Sequence, residues 1–350
     1  MLPKLYEDLF KLPGISGHED KVRDYYLEYL QKYENFEIVT DNLGSVFGFK
    51  KSKNPNAKTV MVGGHMDEVG FIVSYIRPNG AINLLPIGGI LGEVAVSQVL
   101  EIHTPNGIIP GIVGAKPPHL RQVQSTNFDD LLLDIGAKSD TEALEWGVSL
   151  GQMVTFKNTF TYTHNQKRVI SKAVDNRMGV GVTLELISHF NTKDLPFNLA
   201  IGATVQEEVG LRGAGTISHL IKPDMFIALD SSPINDLLEP QSLGKMGEGA
   251  MIRICDPGFI LPLKVKDYYI DVARRYNVKH QFYISKGNTD ASKVLTTNSG
   301  VLSTAIVLPT RYIHSNGALF EIEDLKAVKK MLISILEDLD YEKLNQLLTK

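Results

Sequence analysis

Cysteine is nearly missing from this chain. Cys255 is the one thiol in 350 residues, which excludes an internal disulfide framework and fits a reducing, cytoplasmic setting. It follows the strand-like run Met251-Ile252-Arg253-Ile254 with no activating base beside it in sequence, so it reads as a core thiol and not as a nucleophile. Long apolar runs are missing too: none reaches the roughly 18–20 residues that span a membrane. Met1 to Lys11 carries charges and no apolar centre, unlike a secretory signal. Neither sign of charge is in excess. Lys+Arg 36 against Asp+Glu 40 gives a formal charge of -4, which offers no footprint for nucleic acid and none for a membrane surface. No G-x-S-x-G nucleophile elbow is present. The glycine-rich Gly210-Leu211-Arg212-Gly213-Ala214-Gly215 lacks the G-x-G-x-x-G order of a dinucleotide loop. There is no internal repeat and no low-complexity segment.

The length allows a large core and two domains. Apolar spacing predicts helices over Leu2 to Leu12 and Glu19 to Tyr33, then strands Phe36 to Thr40 and Ser45 to Phe49 around the turn Asp41-Asn42-Leu43-Gly44. The texture changes between about Phe71 and Phe160. Short β-like runs there alternate with Asn79-Gly80, Gly88-Gly89, Asn106-Gly107 and Pro117-Pro118, the pattern of a compact β module. From Val169 strand and helix alternate again: helix Arg177 to Phe190, strand Asn198 to Val205, helix Gly213 to Leu220, strand Met225 to Leu229, and an amphipathic helix Ile322 to Leu339. The expected fold is α/β, a mostly parallel sheet flanked by helices and interrupted by a small β-rich insert. Residues 1–70 and 166–350 form the main domain, and 71–165 the insert.

Chemistry-bearing residues gather at the ends of these runs. His65 and Asp67 follow Val60-Met61-Val62; Asp175 opens an apolar helix; Glu207-Glu208 follows the strand ending at Val205; Asp230 closes the strand Met225 to Leu229; His314 sits in a strand-exit loop. Strand ends are where an α/β sheet places its chemistry, and imidazole with carboxylate suits zinc, cobalt or manganese. Each position also has an ordinary reading. His65 is a strand-end histidine near acids. Asp175 and Asp230 are the kind of aspartate that caps helices and turns. Glu207-Glu208 is a solvated strand end. Yet adjacent carboxylates repel, and a cation removes that cost. Side chains alternate along a strand, so the pair can divide into a metal ligand and a general base. Asp67, two residues after His65, can hold the imidazole's other N–H. His18, His103, His119, His164, His189, His219 and His280 have no such setting.

In order, these motifs resemble the tetrahedral aminopeptidases, the glutamyl and deblocking aminopeptidase group of dinuclear metallopeptidases. The resemblance runs nearly end to end, through Ser16-Gly17-His18-Glu19, Asp41-Asn42-Leu43-Gly44, Gly64 to Gly70, Asp134-Ile135-Gly136-Ala137, Ala173 to Arg177, Val205 to Gly210, Gly287 to Ala291 and Pro309 to Ser315. It implies a metal-dependent aminopeptidase acting on short peptides with a free N-terminus. His65 and Asp230 would ligate one divalent ion, and Glu208 and His314 a second. Asp175 would bridge them, Glu207 would serve as general base and Asp67 as partner of His65. The ions would be zinc or cobalt, with manganese also accepted. The insert would be a dimerisation domain, and dimers would build a hollow homododecamer. Two departures are visible: Gly151-Gln152 where relatives often have Gly-Asp, and Lys286-Gly287-Asn288-Thr289-Asp290 without a second glycine before Thr-Asp. Arg253 is the candidate reader of an acidic N-terminal side chain (Glu or Asp), since guanidinium matches carboxylate bidentately. It could equally face solvent or pair with Asp256. Alternatives are a related deacylase or carboxypeptidase, a glycoside hydrolase, and a non-catalytic scaffold. A glycosidase needs two carboxylates flanking one bond at ~5–9.5 Å and leaves the histidines without a task.

Overall fold

The computed structural model describes residues 1–115, 117, 119 and 126–349; of the Pro117-Pro118 turn, Pro118 lies outside them. Among the described residues the large sheet has eleven strands. Its centre is four parallel strands in the order Asn198–Thr204, Thr59–His65, Met225–Pro233 and Leu302–Arg311. The flanks are antiparallel: Glu37–Thr40 and Val46–Lys50 on one side, Ala318–Glu321, Arg168–Ser171 and Thr161–Tyr162 on the other. Ala250–Cys255 pairs antiparallel with Leu302–Arg311 and parallel with His280–Ile284. The mostly parallel sheet expected from the sequence is parallel through its buried centre and in the pair Ala250–Cys255 with His280–Ile284, with antiparallel flanks. At the centre both faces are covered and the strands read as near-continuous apolar runs; every residue of Thr59–His65 is buried.

The helix Val174–Phe190 packs on the central strands and is buried on nearly every side. Lys4–Lys11 packs against it in turn, and Ile322–Asp338 lies against Leu302–Arg311. Gly64 lets the first of these helices close onto the sheet. A Cβ there would stand 3.1 Å from the Gly179 backbone and 3.2 Å from Asn176 Nδ2, tight enough that the helix would have to shift outward to admit it. This close approach carries Asp175, at the helix start, to His65, at the strand end.

The second unit is a closed barrel of Gly70–Ile76, Ile82–Ile87, Leu132–Asp134, Gly107–Val113, Val99–Thr104 and Met153–Phe156. Its core holds Phe71, whose ring lies 5.6 Å from those of Phe128 and Phe156. Thr161–Tyr162 already pairs within the large sheet, ahead of the expected boundary at 166. Its partner Val169–Ile170 is close in sequence, and a short hairpin recruits it to the large sheet. No helix of the described residues is long and apolar enough to cross a membrane.

Candidate active site

His65 ends its strand, and Thr204 stands opposite it in register on the neighbouring parallel strand. That pairing brings Glu207-Glu208 beside His65. Neither glutamate lies in a strand. The strand stops at Thr204, Gln206 takes a left-handed conformation (φ 56°), and both glutamates sit in the following turn. Strand alternation therefore does not separate their roles, and both carboxylates reach the same centre. The cause is Asp67. Its Oδ1 accepts from Glu207 N at 3.0 Å, and its Oδ2 accepts from Glu208 N at 3.1 Å and from Ser16 Oγ at 2.6 Å. Three donors bend the chain around one buried carboxylate.

Asp67 relates to His65 differently from the expectation. The ring's Nδ1 is 3.1 Å from the Asp67 main-chain oxygen and 3.4 Å from its Oδ1. The strand geometry that would aim the side chain at the ring ends at His65, so the carbonyl becomes the nearer acceptor. Asp230 also differs, lying inside the strand Met225–Pro233 rather than closing it. Pairing continues through Pro233 opposite Thr310 because the neighbouring strand Leu302–Arg311 also runs on past that point.

Two imidazoles and four carboxylates converge. His65 Nε2 lies 3.2 Å from Asp175 Oδ1, 3.7 Å from Asp230 Oδ1 and 3.9 Å from Glu207 Oε2. His314 Nε2 lies 3.4 Å from Asp175 Oδ2 and 3.3 Å from Glu208 Oε1. The two oxygens of Asp175 thus face two different imidazoles. Donor atoms of His65, Glu207 and Asp230 fall within 4.8 Å of one another, as do those of His65, Asp175 and Glu208. Glu207, the expected base, therefore lies among possible ligands. His314 Nδ1 bonds Gly89 O at 2.8 Å, so a barrel loop orients this ring.

The electrostatics call for cations. Burial pushes the Glu207 carboxyl well above the usual range; His65 pulls it back, while Asp230 and Glu208 add to the rise. Glu208 and Asp230 are raised chiefly by burial and also by Asp175. Burial pulls both imidazoles down, yet the carboxylates prevail: His65 is raised well above its ordinary value and His314 is pushed up to about 11. Either retained protons or bound cations relieve the repulsion among these four acids. Glu208 Oε1 is buried with no hydrogen bond; the nearby His314 nitrogen is at ion-pair distance without hydrogen-bond geometry. An orphan acceptor amid O and N donors fits a divalent ion.

Arg253 takes the pairing alternative. It is 2% exposed; Nη1 donates to Asp256 Oδ2 and Gly287 O, both at 3.1 Å, and Nη2 to Ser232 Oγ at 2.6 Å. It nonetheless lines, with all six converging residues, one cleft of about 620 Å³. Cys255 is a half-buried free thiol outside this cleft.

Sequence reasoning missed the support beneath the site. Arg177 is fully buried and donates to the carbonyls of Met66, Leu9, Leu12 and Gly14. Lys172 Nζ holds Glu68 at 2.6 and 2.7 Å, and Arg177 Nη2 lies 3.4 Å from the same carboxylate. Arg177 and Glu68 lie within the segments Ala173 to Arg177 and Gly64 to Gly70 that carry the resemblance, and Lys172 just precedes the first, but partners about a hundred residues apart in sequence leave no local pattern.

Comparison with known proteins agrees with this geometry. The family model for M42 glutamyl aminopeptidase matches residues 44–331. The glutamyl aminopeptidase of Lactococcus lactis is 38% identical over 345 residues, 97% of each chain. The lysyl aminopeptidase of Pyrococcus furiosus is 31% identical over 96% of this chain and 97% of its own. A Pyrococcus horikoshii TET1 peptidase, a protein that can assemble into a tetrahedron or a large octahedral shell, superposes with a TM-score of 0.86. It is 27% identical over 95% of this chain and 98% of its own. With the fold, the converging donors and these likenesses together, the chain belongs to the M42 glutamyl aminopeptidase family and is an aminopeptidase.

Proposed function

We propose that the six converging side chains form a two-metal hydrolytic centre that removes N-terminal residues from short peptides. The observation that carries it is Asp175, whose oxygens face His65 at 3.2 Å and His314 at 3.4 Å, the placement of a bridging carboxylate. His65 and Asp230 hold one divalent ion, and Glu208 and His314 the other, with zinc or cobalt favoured and manganese accepted. Bound there, the ions supply Lewis acidity to the scissile carbonyl and acidify a water, toward pKa ~7 in the best-known single-zinc case. Glu207 takes the proton of the attacking water and delivers it to the leaving amine. Asp67 holds the Glu207 and Glu208 amides and so fixes both carboxylates. Acidic residues at the site hold the substrate's free α-amino group, which confines cleavage to the N-terminus.

Relatives include both a glutamyl and a lysyl enzyme, so this chain's own cleft sets the first-residue preference. We propose N-terminal Glu or Asp, read by Arg253. Asp256 offsets part of its charge, but the guanidinium lines the same cleft as the donor residues, where its remaining charge attracts a carboxylate. Residues 1–70 and 166–350, with the Thr161–Tyr162 strand joined to their sheet, act as the catalytic unit and the barrel within 71–165 as a dimerisation unit, from which a cytoplasmic homododecamer is built.

The test uses free and N-acetylated Glu- and Leu-peptides with chelated and then zinc- or cobalt-reconstituted enzyme. Two equivalents of metal, activity restored only with metal, and no turnover of the acetylated series are expected. Metal-independent cleavage, or preference for the acetylated peptides, refutes the reading. Loss of the Glu/Leu ratio in Arg253→Ala checks the side-chain assignment.

A further inference from the structure

The converging donors form a chain of close pairs, Asp230 to His65 to Asp175 to His314, and the cleft differs at its two ends. The Asp230 end is polar: Arg253 bonds Ser232 and Gly287 there. The His314 end is apolar, and much of it comes from the barrel. As the chain leaves the barrel strand Ile82–Ile87 it passes through Gly88-Gly89, which bonds His314, and carries Leu91 and Val94 to the wall of the cleft that Leu211 and Ile313 also line. The attachment is close. A Cβ on Gly88 would stand 2.7 Å from Val69 Cγ1 and 3.2 Å from Glu208 Cβ, and one on Gly89 3.4 Å from His314 Nδ1. Leu91 is nonetheless 69% exposed. A leucine left open at the mouth of a charged cleft is apolar surface that a bound side chain can cover.

We propose that Leu91 and Val94 of the barrel, with Leu211 and Ile313, form the subsite for the second residue of the substrate, and that it takes an apolar side chain. This rests on the reading of Arg253 as the contact of the first residue. A scissile bond over the donors places the first side chain at the Asp230 end and the second at the His314 end. The barrel then helps to select substrate in the same chain whose metal ligand it orients through Gly89 O.

The experiment measures kcat and KM for Glu-Leu-Ala, Glu-Ser-Ala, Leu-Leu-Ala and glutamyl amide in metal-loaded wild type, Leu91→Ser and Gly89→Ala. Wild type should favour Glu-Leu-Ala over Glu-Ser-Ala by about tenfold or more in kcat/KM, in the range one apolar contact provides. Leu91→Ser should collapse that ratio, mainly through KM, with a clearly smaller loss on glutamyl amide, which has no second residue. Gly89→Ala brings a methyl only to van der Waals distance of the His314 ring and should leave the second-residue ratio at its wild-type value. No second-residue preference in wild type, or an equal loss on every substrate in Leu91→Ser, overturns the proposal. So does a Leu91→Ser change confined to the first-residue preference, which would exchange the two ends. If the Glu/Leu ratio at the first residue is flat while the second-residue ratio stands, the Arg253 reading fails and the apolar subsite survives.

Discussion

Asparagine at position 67 would keep one acceptor oxygen where the carboxylate has two. Asp67 accepts from Ser16 Oγ at 2.6 Å, Glu207 N at 3.0 Å and Glu208 N at 3.1 Å, and it is fully buried. If the amide oxygen keeps Ser16 and Glu208 N, its NH2 faces the Glu207 N–H; in the other orientation two contacts are lost. Hydrogen bonds to charged groups contribute about 1.5–3 kcal/mol, and a buried donor left unpaired costs about 1–3 kcal/mol. Asp67→Asn should therefore lower stability by roughly 3–5 kcal/mol. The same donors set the turn that carries Glu207 and Glu208, and a shift of ~1 Å in a reacting group can cost ~10²-fold. Urea unfolding of the metal-loaded enzyme measures the first effect, and kcat on a Glu-peptide at saturating metal the second. Ser16→Ala, which removes a single donor, should fall between wild type and Asp67→Asn in both. Wild-type stability with wild-type kcat in Asp67→Asn would refute the assignment of Asp67 as the anchor of the turn.

Glu207→Gln should keep metal content and lose ~10²–10⁴-fold in kcat, the usual range for general base catalysis, whereas Glu208→Gln should lower metal stoichiometry; elemental analysis beside kinetics distinguishes them, and the reverse pattern would exchange the roles. Glu68→Gln leaves Lys172 and Arg177 as uncompensated buried cations and should cost about 3–5 kcal/mol in urea unfolding, more than removal of an exposed pair such as Lys53–Asp194. Burial pushes the Asp324 carboxyl up to about 6, against the pull of the Gly247 and Gly249 amides. The native state then keeps a proton that the unfolded chain, near 3.9, has released. Stability from this group is present below pH ~4 and lost as pH rises to ~6, by about 3 kcal/mol at most. Asp324→Asn should flatten the stability–pH slope across that window, and parallel slopes for variant and wild type would contradict this.

Local sequence carries what side-chain burial imposes. The runs that become Thr59–His65, Asn198–Thr204 and Leu302–Arg311 are apolar because the centre of a parallel sheet is covered on both faces. The glycine-punctuated stretch after Phe71 reads as β because its strands are short and turn often. Histidine and acid at run ends are likewise visible in the chain, since a strand must stop where its chemistry begins. Tertiary structure decided everything that depends on which ends meet. Glu207-Glu208 looks like a strand end, yet the amides turn toward Asp67, 140 residues away. Asp230 looks like a terminus, but its strand runs on because its neighbour does. Arg253 could face solvent or Asp256, and burial selects Asp256. Gly89 reaches His314 across 225 residues. Periodicity records only how each residue is covered, whereas these contacts are fixed by strand order, register and the close approach of Gly64 to Gly179, properties of the folded chain as a whole.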